Sequence, residues 1–171
     1  MLFRSISQGI EKTIFMGNLN AYRDWGHAKD FVKMQWLMLQ QEEANDFVIA
    51  TGQQITVREF IVLAAKELGV EIEFQGKGLD EIGVVIAVDK SISPEISIGD
   101  VIIRINPKYF RPTEVETLLG DSSKAKNLLG WEPEITIGEL CAEMVAYDLE
   151  KAKQNALLIE HGYSIFNSKE D

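Results

Sequence analysis

Hydrophobic and polar positions along the chain alternate between two rhythms, and the exchange between them predicts the elements. In residues 28–41 the apolar set Phe31, Val32, Met34, Trp36, Leu37, Met38 and Leu39 predicts a helix with a broad apolar face, packed on more than one side. Phe47-Val48-Ile49-Ala50 is a continuous apolar run ended by Thr51-Gly52, the pattern of a buried parallel strand. Residues 4–11 read as the tail of a helix, and Thr13-Ile14-Phe15-Met16 as a short strand stopped by Gly17-Asn18. No cap precedes that first helix, so the chain reads as opening inside an element. Thr56-Val57-Arg58-Glu59 is a capping box, and its helix carries Phe60, Leu63, Ala64 and Leu68 before Gly69.

Farther along, Ile72-Glu73-Phe74 alternates as an edge strand does. Residues 76–100 are the least regular part and read as an insertion or a hairpin on the rim, with strands over 82–88 and 101–105. Asp121-Ser122-Ser123 predicts the start of a short helix ending at Gly130. Thr136 and Glu139 form a second capping box whose helix runs to about residue 154, and Gly162 is placed to end a last short helix. Helix, strand, turn and helix in succession predict an α/β fold.

Composition narrows the partners more than the fold. The 171 residues are 46% hydrophobic and 26% charged, as in an ordinary globular protein. A net charge of −10 repels nucleic-acid backbone and anionic lipid, so neither is an expected general partner. A phosphorylated small molecule stays compatible, because a few local arginines overcome a distant field. Cys141 is the single cysteine; it has no internal disulfide partner and no metal-ligand cluster around it, and its apolar surroundings predict a buried, inert thiol. No apolar stretch reaches membrane-spanning length and the amino terminus lacks a signal-peptide core, so a cytoplasmic chain is expected.

Two motifs are decoys. Gly76-Lys77-Gly78 with Gly83 resembles a glycine-rich nucleotide loop, but it precedes a strand-like run where a dinucleotide loop must open a helix. Tyr147 and Lys151 have the Tyr-x-x-x-Lys spacing of a catalytic pair, yet they lie on the capped carboxy-terminal helix with no cofactor fold before them. His27 and His161 are far apart in sequence and support neither a metal site nor a catalytic triad; His27, at a loop-to-helix junction, is expected to make a local structural hydrogen bond. Two loop clusters survive, Asn20 to His27 and Tyr109 to Glu116, each with one arginine beside aromatic rings. The planar guanidinium suits phosphate oxygens, and the rings suit a base or sugar. Ion pairs of Arg23 with Asp24 and of Arg111 with Glu114 are the structural alternative.

The strings that carry these clusters resemble a known family. Arg23-Asp24-Trp25-Gly26-His27-Ala28-Lys29-Asp30-Phe31-Val32-Lys33-Met34-Gln35-Trp36 and Tyr109-Phe110-Arg111-Pro112-Thr113-Glu114-Val115-Glu116-Thr117-Leu118-Leu119-Gly120-Asp121 are similar to motifs of GDP-mannose 4,6-dehydratases. So are Phe47 to Gly52, Lys124 to Pro133, and Glu143-Met144-Val145. The resemblance covers nearly the whole chain and is weakest over 76–100. It implies an extended short-chain dehydrogenase/reductase fold. The full enzyme of that family binds NADP on an amino-terminal Rossmann domain and GDP-mannose mostly on the carboxy-terminal domain. It oxidises C4 of the hexose, eliminates water across C5–C6 and returns the hydride to C6, giving GDP-4-keto-6-deoxymannose, a GDP-fucose precursor.

The resemblance further implies that this chain is the carboxy-terminal half. Residues 1–52 then hold residual Rossmann-side elements and a substrate loop, and residues 53–171 the substrate-binding domain, with a variable insertion near 76–100. Arg23 and Arg111 are expected to hold the diphosphate or nucleotide, and Glu114 to reach the ribose or guanine. The family's glycine-rich loop, Thr/Ser–Glu pair and Tyr-x-x-x-Lys all precede the first residue. No catalytic, cofactor-binding or metal residue is therefore assigned, and the chain alone is expected not to turn over substrate. The implied partners are GDP-mannose or another GDP-sugar, a separate polypeptide carrying the Rossmann half, and a second copy of the chain. The alternative is a non-catalytic GDP-sugar binding module or a remnant.

Overall fold

Between Val70 and Ile105 the apolar positions build a sheet. The computed structural model describes residues 3–115 and 117–163. Its elements begin with a short helix α1 (Phe3–Ser7), strands β1 (Ile14–Met16) and β2 (Tyr22–Asp24), and helix α2 (Ala28–Leu39). There follow β3 (Gln54–Thr56), α3 (Val57–Glu67), β4 (Val70–Gln75), β5 (Ile82–Val88), β6 (Val101–Ile105), α4 (Ser123–Leu129) and α5 (Ile137–Glu160). Four strands form one sheet in the order β1-β6-β5-β4, parallel between β1 and β6 and antiparallel elsewhere. The fold is α/β with a mixed sheet, as the alternation of elements predicts.

Helix α3 packs on this sheet, and α5 packs on α3 and α1. Ile14, Val85 and Ile103 meet Phe60, Ile61, Ala64 and Leu68 of the α3 region and Cys141 and Val145 of α5 in the main core. Both helices start where the sequence places capping boxes: Thr56 accepts from the Glu59 amide at 3.1 Å while Glu59 accepts from the Thr56 amide at 2.7 Å, and Thr136 and Glu139 repeat the arrangement. The edge strand β4 alternates Glu71 and Glu73 outward, charges that discourage pairing with another chain. Cys141 is buried, and desolvation with the nearby Glu67 pushes its thiol up to about 11, which makes it inert as expected.

A smaller core lies around Met34, Ala125 and Trp131, joined by Phe31, Leu37, Phe47 and Ile49. Asp30 organises it. Its carboxylate accepts from the Glu134 and Ile135 amides at 3.1 and 3.0 Å, and its carbonyl accepts from the Trp131 indole at 3.0 Å. These bonds tie the segment before α5 onto α2.

Four readings of the sequence are corrected. Residues 47–50 form no strand, since among the described residues they pair with no other segment; Val48 is left 51% exposed. The loop over 17–26 contains β2, which pairs with the equally unexpected β3, three-residue strands too short to show a period. The segment after Gly76 does form a hairpin, β4 with β5, but it is not confined to the rim, since β5 lies inside the sheet with a neighbour on each side. Helix α5 continues past residue 154 to Glu160, so no separate helix precedes Gly162.

Candidate functional site

Arg23 and Glu114, far apart in the chain, meet on one surface. Arg23 sits in β2, opposite Ile55 of β3. Its guanidinium donates to Glu114 Oε1 at 2.6 Å, to the Val115 carbonyl at 3.1 Å and to the Tyr22 carbonyl at 2.7 Å. Neither local ion pair forms. Asp24 instead accepts from the Thr51 amide at 2.9 Å, the Thr51 hydroxyl at 2.6 Å and the Gly52 amide at 3.0 Å, which fixes the turn after residue 50.

Arg111 is held by its main chain. Asn18 donates through Nδ2 to the Arg111 carbonyl at 2.9 Å and accepts at Oδ1 from the Arg111 amide at 2.8 Å. The Arg111 side chain is exposed, with no ion-pair partner among the described residues. At the far end of the same loop, Thr117 donates to Gln54 Oε1 at 2.7 Å. Loop 111–117 is therefore fastened to the β1–β2 loop, to β2 and to β3 in turn; Glu116 within it lies outside the described residues.

Beside these fastenings is a cavity of about 650 Å³, lined by Asn18, Asn20, Tyr22, Gln54, Glu114 and Thr117 among others. Tyr22 is 45% exposed, a ring available to stack on a flat group. Arg58, on the first turn of α3, is not available to an anion: it donates to Glu81 at 2.6 Å and to Asn20 Oδ1 at 2.8 Å, and lies over the Phe74 ring. Of the residues expected from sequence, the structure thus brings Arg23 and Glu114 into contact and presents Arg111 on the same loop as Glu114. Sequence reasoning missed Asn18, Gln54 and Thr117. The Gly17-Asn18 dipeptide just after a strand is the one signal that pointed to the first.

The glycines at 76–83 and the Tyr147 and Lys151 pair lie on other elements. Residues 76–83 lead through a 3-10 turn at Gly78–Asp80 into β5. Tyr147 is 66% exposed, and Lys151 donates to Gln154. His27 caps α2, accepting at Nδ1 from the Lys29 amide at 3.0 Å, with Nε2 3.4 Å from Glu143. The dinucleotide that the resemblance implies needs the amides of a helix that opens after a glycine-rich turn. The glycine-rich turn here opens a strand, and the amino ends of α3 and α5 are closed by their own capping boxes. Neither of these two helix starts offers its first amides to a dinucleotide among the described residues. Among them, no cluster of His, Cys, Asp and Glu is arranged to hold a metal, and no helix is long and apolar enough to cross a membrane.

Comparison with known proteins gives the geometry a family. A model of the family described as GDP-mannose 4,6 dehydratase matches residues 2–144. The GDP-mannose 4,6-dehydratase of Vibrio cholerae serotype O1 is 62% identical over 161 residues, 94% of this chain and 43% of that protein. The enzyme of the same name from Yersinia enterocolitica is 58% identical over the same coverage. The chain therefore spans well under half the length of these curated relatives. Among solved structures, RMD from Pseudomonas aeruginosa complexed with NADPH superposes with a TM-score of 0.61 at 18% identity, covering 86% of this chain and 40% of that one. The fold is that of the extended short-chain dehydrogenase dehydratases and epimerases. The chain belongs to the GDP-mannose 4,6-dehydratase family.

Proposed function

We propose that this chain is the carboxy-terminal, nucleotide-holding part of a GDP-mannose 4,6-dehydratase, a lyase that makes GDP-4-keto-6-deoxymannose in the cytoplasm. Arg111, with Arg23, holds the diphosphate, and Glu114 takes the ribose or guanine. The observation that supports the reading is the Arg23–Glu114 contact on the loop that also carries the exposed Arg111, with Glu114, Pro112 and Thr113 of that loop lining a cavity large enough for a nucleotide. In this reading residues 53–171 form most of the substrate side and residues 1–52 adjoin the cofactor-binding half.

The reaction needs a base for the C4 hydroxyl, an acid and base for the elimination, and a hydride carrier. Tyr147 and Lys151 are the described residues closest to such a set in type, and their exposure on α5 suits neither role. NADP and the catalytic groups would come from a Rossmann-half polypeptide, and the chain alone would be inactive. The unpaired apolar run at 47–50 is where that half would add a strand.

Calorimetric titration of the full chain with GDP tests the reading: binding that weakens in Arg111→Ala is expected, and no detectable binding overturns it. Mixing with a polypeptide that carries the Rossmann half should then restore NADP-dependent loss of GDP-mannose. Binding without restored turnover at any ratio would favour the non-catalytic GDP-sugar module instead.

A further inference from the structure

We infer that Asn18 is a positioning residue that sets the main chain of Arg111 before any ligand arrives. The inference rests on the nucleotide reading of Arg111 given above. Asn18 makes both of its carboxamide bonds to one residue, 93 positions away, and both go to backbone atoms. One side chain thus replaces the paired N–H and C=O contacts that a neighbouring strand would give, at the point where the β1–β6 ladder has ended.

Two neighbours make this clasp specific to Arg111. Gly17 crosses the chain just before Arg111 so closely that any Cβ there would collide with the Tyr109 carbonyl oxygen. Gly17 therefore lets the two backbones approach and Asn18 grips what they bring together. In the turn after β6, the Tyr109 and Phe110 amides both donate to the Asn106 carbonyl, and Phe110 packs against the main core. Arg111 leaves this anchored turn with its φ and ψ held from both sides while its own side chain stays exposed.

A flexible loop would surrender conformational entropy when its arginine met a phosphate; a loop fixed in advance does not. Asn18 also lines the cavity, so it could contact the nucleotide directly. A double-mutant cycle with GDP as the probe, measured by calorimetry on the full chain, separates these roles.

Asn18→Ala is expected to weaken GDP binding about tenfold in the otherwise unaltered chain, and less than about twofold once Arg111 is alanine. Asn18→Asp, which keeps the acceptor and loses the donor, should fall between. It carries the test if Asn18→Ala melts below the assay temperature. Equal losses in both backgrounds would overturn the inference in favour of direct contact or a general structural role. So would unchanged binding in Asn18→Ala while Arg111→Ala is weak, which leaves the nucleotide reading standing. Absence of GDP binding by the unaltered chain removes the nucleotide reading, and this inference with it.

Discussion

Arg23 and Glu114, 91 residues apart in the chain, meet at 2.6 Å, with side chains 29% and 15% exposed. The pair fastens loop 111–117 to β2. In the nucleotide reading a diphosphate would compete with Glu114 for the same guanidinium.

Arg23→Ala leaves Glu114 half-buried without its cation. We expect a loss on the order of 1 kcal/mol in stability, since the pair is only partly shielded from water and salt. Thermal melts at low and high ionic strength check this: the gap between the two proteins should shrink as salt rises. In the nucleotide reading, GDP binding should fall by about tenfold or more, because charge-assisted bonds to phosphate disappear.

Helix α2 carries an apolar stripe with no cover. Val32, Trp36 and Leu39 are 61%, 59% and 82% exposed, at spacings that place them on one side of the helix. Such a patch drives association. The isolated chain is expected to self-associate with rising concentration, and Trp36→Glu to shift it toward monomer in sedimentation velocity, with its melting temperature little changed. A chain that stays monomeric at high concentration would show the stripe to be inert.

Trp131 is 2% exposed and ends the contact chain that joins α2 to the segment before α5. Trp131→Ala removes a large buried ring and the indole's bond to the Asp30 carbonyl. We expect a cost of about 3–5 kcal/mol, a large fraction of the stability of an ordinary domain. Trp131→Phe should retain much of the packing and lose mainly the hydrogen bond, about 1 kcal/mol. Urea unfolding of the two variants separates the contributions.

Local chemistry made some of this legible in advance. The capping boxes at Thr56 and Thr136 were readable because the residues that satisfy each helix end lie three positions apart. The parallel run 47–50 was misread for the opposite reason. Its residues have strand character, but a strand exists only with a neighbour, and none of the described residues pairs with it. The site was half legible. Arginines beside aromatics could be recognised as types, while their partners could not, because Arg23 to Glu114, Asn18 to Arg111 and Gln54 to Thr117 are all long-range contacts. The expected neighbours Asp24 and Glu114 were near in sequence yet bound elsewhere or to the other arginine.

The capping boxes also predict how stability responds to acid. The Thr56 amide, and then its hydroxyl, hold the Glu59 carboxyl below its ordinary value of 4.5; the Thr136 groups do the same to Glu139. A carboxylate with a lowered folded pKa stabilises the fold above its ordinary value, and that contribution fades as pH falls through the folded one. Acid should therefore fray the starts of α3 and α5 together. In a Glu59→Gln, Glu139→Gln double variant the amide can still accept a bond but no longer titrates. Its melting temperature should lie below that of the unaltered chain near pH 7, and the gap should narrow steadily below pH of about 4.5. A gap that is constant from neutral to acidic pH would mean that the two carboxylates contribute to helix starts by shape alone.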